Sequence, residues 1–82
     1  MTTEITTIYT PSENDAKKLE NNFTYHPPHG DQPARYENIR GEGQEYAKTL
    51  MALCPPSREL SLALTNLEQA IMWANAAIAR NE

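Results

Sequence analysis

The apolar positions of this chain fall into three blocks with helical spacing, and prolines separate them. The clearest block follows Ser57. Leu60, Leu64, Leu67, Ile71, Ala74 and Ile78 recur at alternating intervals of four and three, the seam of a helix that packs lengthwise against a partner. Ala63, Ala70 and Ala77 form a stripe of small residues beside that seam, and Met72 and Trp73 carry the apolar surface further round. A single partner helix covers one face, so a helix apolar on more than one face calls for further partners. With Ser57 as N-cap, the helix is predicted to run to Ala79 or Arg80.

The middle block, Tyr36, Ile39, Gly43, Tyr46, Leu50 and Leu53, follows the spacing of a second helix face. Asp31 is its candidate N-cap, and Pro33 suits a first turn, where a missing N–H is no loss. Cys54-Pro55-Pro56 ends it, because a residue before proline avoids the α region. Gly41 and Gly43 each cost ~1 kcal/mol against alanine in a helix interior. Either they are tolerated or they mark the close approach of a neighbouring helix. The first block is weaker. Ser12 and Asp15 resemble a capping box and predict a helix from Glu13 to about Asn22, too short to stand alone. Ile5, Ile8 and Tyr9 precede it and are apolar enough to dock on a partner surface.

Composition agrees with helix. The chain has no valine and its second half is rich in Ala and Leu, where strands would need β-branched residues. The expected fold is all-α: a single helical domain over 1–82, with a short N-terminal helix within 1–22 and a long antiparallel hairpin of helices over 31–54 and 57–80. Two hairpin helices of about 23 residues are each ~35 Å long and too thin to close their own core, so a homo-oligomer is expected.

The 82 residues carry 7 Lys plus Arg against 11 Asp plus Glu, a formal charge of −4, which excludes the basic footprint of a DNA-binding domain. No apolar run is long enough for a membrane span, and the stretch from Met1 to Glu4 has neither the basic flank nor the apolar run of a secretion signal. One cysteine, Cys54, and two histidines cannot make an internal disulfide or a Cys/His zinc site. A cytosolic protein with no metal and no cofactor is the expectation.

No catalytic constellation is visible: there is no phosphate loop, zinc-protease helix or nucleophile elbow. His26 and His29 flank Pro27-Pro28 and read as the polar groups of a rigid turn. Cys54 reads as a small apolar residue at a helix end, Trp73 as core or interface, and Lys17-Lys18 as a solvated face. Arg58 stands apart. It lies in a first helical turn, where positive charge opposes the helix dipole. With Ser57 and Ser61 beside it, it is either an anion site or a surface arginine paired with Glu59 or a neighbour.

Several runs then resemble one family. Phe23-Thr24-Tyr25-His26-Pro27-Pro28, Asp31-Gln32, Arg35-Tyr36, Cys54-Pro55-Pro56-Ser57-Arg58-Glu59 and above all Met72-Trp73-Ala74-Asn75-Ala76-Ala77-Ile78-Ala79-Arg80 look like the phage anti-CBASS and anti-Thoeris sponge hairpin family. The resemblance covers about residues 23 to 81. Without the additional β-rich part of the anti-Thoeris members, the chain is similar to the anti-CBASS type 2 sponges. The resemblance implies all-helical protomers in a hexamer, cyclic dinucleotides bound between protomers, and cyclic trinucleotides bound in separate pockets where three protomers meet. For the trinucleotide it implies Arg58 and Ser61, the serine keeping the hydroxyl but not the methyl of the threonine often found there. For the dinucleotide the family's stacking aromatic and phosphate-binding lysine suggest Tyr9, Lys17 and Lys18 as candidates, with Tyr25 and His26 in a shared motif that is either ligand-binding or structural.

The resulting expectation is a phage anti-defence protein in the cytoplasm of the infected bacterial host. It would sequester cyclic di- and trinucleotide immune messengers without cleaving them and so block CBASS effectors; it would not be an enzyme. Its partners would be cyclic oligonucleotides and its own copies, without DNA or membrane. The alternatives are a small helical protein-binding adaptor or antitoxin-like protein and, third, a hydrolase of the signal.

Overall fold

A computed structural model describes residues 3–82 as three helices, α1 (Glu13–Phe23), α2 (Gln32–Leu53) and α3 (Arg58–Asn81), and shows no strand among them. Met1 and Thr2, the first half of the stretch read above as unlike a secretion signal, lie outside the described residues. Helices α2 and α3 run antiparallel: Gly43 faces Ile71, while Gln32 and Arg35 near the start of α2 meet Glu82 just past the end of α3.

Local chemistry accounts for each helix end. Ser12 Oγ accepts the Asp15 N–H at 3.1 Å. Of the expected capping box only this half forms among the described residues, the aspartate being one methylene shorter than the glutamate that usually closes it. Ser57 Oγ accepts the Leu60 N–H at 3.1 Å and its hydroxyl donates to the Pro55 carbonyl at 3.0 Å, so one side chain caps α3 and rigidifies the turn before it. Cys54, ahead of Pro55, is extended at φ −117° and ψ 140°, the conformation its position dictates. Asp31 sits at the N-cap position of α2, but its carboxylate makes no capping bond and instead lies 3.5 Å from the Arg35 guanidinium. Gly30, at φ 58°, supplies the left-handed residue that turns the chain into α2.

The hairpin seam is narrow. All six predicted seam residues of α3 point inward, with Ile78 the most buried at 9% exposure. On α2 the inward positions include Tyr36, Ile39, Gly43, Ala47 and Leu50, with Cys54 half-buried just past its end. The expected Tyr46 and Leu53 are instead 56% and 79% exposed. The cause is Gly43. A Cβ there would lie 2.7 Å from the Ile71 side chain, so the backbones come close at this point and small Ala47, not tyrosine, fits one turn on. Gly41 faces open space, so the two glycines have different explanations.

At the open end of the hairpin Gln32, 3% exposed, has its amide satisfied. Its carbonyl oxygen accepts the His29 N–H and its NH2 donates to Glu82, both at 3.2 Å. Helix α1 has no buried residue; its Asn21 amide donates to the Arg80 carbonyl at 2.9 Å. The protomer exposes 7173 Å², where a folded monomer of 9.3 kDa exposes about 5,000 Å². Its radius of gyration is 18.9 Å, against about 12 Å for a compact chain of this length. It buries much less of itself than a self-sufficient domain would.

Candidate functional site

Two groups of polar side chains stand out, one at each end of α3. At the turn end, Arg58 opens the helix and Ser61 follows one turn later, a spacing that puts both on one face. Both are exposed. The Ser61 hydroxyl donates to the Ser57 carbonyl at 3.2 Å, which leaves its lone pairs free to accept. Among the described residues no carboxylate lies within ion-pair distance of Arg58, and Glu59 does not pair with it. The first-turn N–H groups beyond the one held by Ser57 have no partner within the helix, so this end presents a guanidinium beside backbone donors.

The other group forms where α1 leans against the end of α3. Lys18, Asn21 and Asn22 from α1, with Trp73, Arg80 and Asn81 from α3, line an open cleft of about 340 Å³. The Arg80 guanidinium lies over the Trp73 ring, 5.7 Å from its centroid. Trp73, expected in core or interface, is 63% exposed and so is not in the core of the protomer. Of the other dinucleotide candidates, Lys17 is 3.7 Å from Glu13 across one helical turn. Tyr9 is exposed in the extended segment before α1, and Tyr25 is exposed after it. His26 Nε2 is 2.9 Å from the Asn21 carbonyl; the ring borders a second depression with Tyr36, Arg40 and Asn75. The structure therefore places Lys18 in one cleft with Trp73, Arg80 and Asn81 of α3, and Tyr9, Lys17 and Tyr25 do not line it.

Charge sharpens the contrast between these groups and the rest of the surface. Three of the cations are neutralised inside the protomer: Lys17 by Glu13, Lys48 by Glu45, and Arg35 by Glu82 and Asp31. The Arg35–Glu82 pair is bidentate at 2.8 and 2.7 Å. The Arg35 hydrogen bonds, helped by the one from Gln32, hold the Glu82 carboxyl below the usual carboxylate range. Lys18, Arg40, Arg58 and Arg80 have no carboxylate within 4.0 Å among the described residues. In a chain with an excess of acids that is a selective pattern, and Arg58 and Arg80 are ~33 Å apart along the helix. Sequence reasoning did not single out Arg80, and it read Trp73 as core or interface, of which the protomer excludes only the core. The available signal was their spacing of seven, two turns, which puts both on one face of α3.

Comparisons with curated proteins and with solved structures returned no match. A family model described as the Acb2/Tad1 hairpin domain matches residues 15–79, which takes in most of α1, all of α2, the turn and nearly all of α3. Tyr9 lies before that span; Lys17, Lys18, Arg58 and Ser61 lie within it. A match over more than half the chain, on a fold of two antiparallel helices joined by a Pro-Pro turn, establishes that this chain belongs to the Acb2/Tad1 hairpin family.

Proposed function

We propose that the whole chain, acting as one helical unit, is a phage anti-defence sponge. It binds cyclic oligonucleotide messengers of the bacterial immune response and withholds them from their effectors, including those of CBASS, in the cytoplasm of the infected host. Family membership over residues 15–79 carries this reading. The unpaired cations at both ends of α3 support it, because they supply local charge-assisted donors on a subunit whose net charge does not attract anions. In this reading Arg58 and Ser61 meet a cyclic trinucleotide where three protomers converge. A separate dinucleotide site draws on the N-terminal candidates Tyr9, Lys17, Lys18, Tyr25 and His26. The assembly in this reading is a hexamer; the ~2,000 Å² of surface above the monomer expectation supports association, and family membership supports the number six.

Binding without cleavage follows from the groups at hand: guanidinium, ammonium, hydroxyl and carboxamide hold a phosphate but are not the paired acid and base that hydrolysis uses. The exposed apolar side chains, Met72 and Trp73 among them, are the one observation that favours the alternative of a protein-binding adaptor. Incubation with cyclic dinucleotide and cyclic trinucleotide, followed by heat release and chromatography, separates these readings. Recovery of intact nucleotide is expected. A linear product indicates a hydrolase, and absence of binding leaves the adaptor.

A further inference from the structure

One face of the hairpin carries an open apolar groove of about 590 Å³, floored where Gly43 lets Ile71 approach and walled by Ala47, Met51, Leu64 and Met72. The groove uncovers the seam itself, for Leu64 and Ile71 stay only half-buried. Met51 and Met72 are 60% and 65% exposed, and methionine is the apolar side chain that adapts best to an incoming surface. The floor runs ~10–12 Å, from Leu64 to Ile71 on one helix and from Gly43 to Met51 on the other. Arg40 stands one turn before Gly43, with no carboxylate within 4.0 Å among the described residues, and exposed Gln44 and Glu68 add polar groups to the lining.

The arm ahead of α1 has the complementary pattern. Residues 3–12 form neither helix nor strand, and Ile5 and Ile8 are 79% and 83% exposed. Thr10 precedes a proline, Pro11 fixes its own φ at about −65°, and Ser12 has φ −67° and ψ 163°. The arm thus joins α1 in polyproline geometry. Carried back along the arm, that geometry has three residues per turn and lines up Ile5, Ile8 and Pro11 on one face, with Tyr9 off it. The two isoleucines are then ~9 Å apart, within the length of the groove. Glu4 is the one charged residue of the arm; it lies just before Ile5, as Arg40 lies just before Gly43. Two packed helices of this length measure ~36 by ~20 Å, whereas the protomer spans 53 × 43 × 20 Å, so α1 and the arm project away from their own hairpin. We propose that the groove seats the N-terminal arm of a second copy, running parallel to α2, with Ile5 at the Ile71 end, Ile8 at the Met51 end and the Glu4 carboxylate on Arg40. The arm lies before residue 15, where the family match begins, so this strap is an addition to the shared hairpin. The inference rests on the reading that the chain associates with its own copies, and adds to it which segment of one copy holds which face of the next.

Co-expression of two altered full-length chains reads the contact directly. One carries Ile8→Cys, the other Met51→Cys, and both carry Cys54→Ala so that no other thiol remains. Mild oxidation is expected to join the two into a covalent dimer on a non-reducing gel. A single chain bearing both cysteines should link to its neighbours rather than to itself. An internal loop in that chain, or no cross-link in either experiment, overturns the inference. A matching loss is expected without any cysteine. Ile5→Asp with Ile8→Asp should raise the dissociation constant of the assembly about tenfold or more, read by light scattering on dilution, with helix content unchanged. Glu4→Lys and Arg40→Glu should each weaken association, and together they should recover most of it. Arm variants that assemble as tightly as the unaltered protein overturn the strap and leave association through the hairpin standing. An unaltered protein that stays monomeric at micromolar concentration sinks the association reading itself, and the strap with it.

Discussion

The hairpin and the N-terminal third are built on different terms. In α2 and α3 the inward residues form one seam between the two helices, down to the glycine that lets Ile71 approach the backbone. In residues 3–23 almost nothing is covered. Phe23 is 85% exposed, Ile5, Ile8 and Tyr9 are similarly bare, and α1 touches α3 through the Asn21–Arg80 hydrogen bond and the rim of one cleft. A sequence with only ~80 residues cannot bury an apolar arm and a hairpin at once. The large apolar side chains that the protomer leaves open lie in the arm and α1, at Tyr46, Met51 and Leu53 of α2, and at Leu62, Met72 and Trp73 of α3, and in the proposed reading other copies or ligand cover them.

The largest test of that division is at the hairpin turn. If Arg58 serves three equivalent ligand contacts around an axis, one substitution removes all of them, at ~1.5–3 kcal/mol per charge-assisted bond. Arg58→Ala should therefore weaken cyclic trinucleotide binding a hundredfold or more in calorimetry. Helix stability should hold or rise slightly, since a cation leaves a helix N-terminus. Dissolution of the oligomer instead would make Arg58 an interface residue.

The mass of the assembly comes next. Light scattering should give several times 9.3 kDa, six copies being favoured. A stable monomer at micromolar concentration would leave the bare N-terminal third unexplained and remove every pocket between protomers.

The two glycines then test the hairpin from within. Gly43→Ala drives a methyl into Ile71 and should destabilise by ~1–3 kcal/mol, whereas Gly41→Ala, into open space, should stabilise by up to ~1 kcal/mol. Equal effects in denaturant unfolding would refute the close approach. On the N-terminal side, Asn21→Ala deletes the α1–α3 hydrogen bond at a cost of ~1 kcal/mol. Proteolysis should then reach α1 sooner while the hairpin remains protected.

The smallest expected effect is a pH dependence at the open end of the hairpin. Because Glu82 is held below the usual carboxylate range by Arg35, its contribution is present above the unfolded-state value near ~4.3. It is lost as pH falls through the lower folded value. The pair is partly exposed and screened, so Glu82→Gln should flatten the acid limb of the Tm profile only slightly. An identical profile in both proteins would show the pair to be silent.

Legibility followed the same division. The α3 seam was readable because six aliphatic residues at alternating spacing leave one inward face. On α2 the pattern misled at Tyr46 and Leu53, since large apolar side chains outbid Ala47 and Cys54 in any reading by hydrophobicity, although the close contact at Gly43 requires small neighbours. Arg58 was conspicuous through its conflict with the helix dipole, a local rule. The α1/α3 cleft was not, because Lys18 is far from Trp73 and Arg80 in sequence and only tertiary contact joins them. The same holds for Asp31, whose carboxylate was expected at the cap and instead turned to Arg35.

The tight turn from Cys54 to Ser57 has a consequence in time. A short connection closes at little entropic cost, so the hairpin is expected to zip from that turn and to fray from the opposite end, where Gln32 and Arg35 meet Glu82. Hydrogen exchange should then run as a gradient along α3, slow beside Leu64 and fastest past Ile78. Arg80 and Asn21 lie in the fast zone, so the hydrogen bond that ties α1 to the hairpin sits on the end that opens most often.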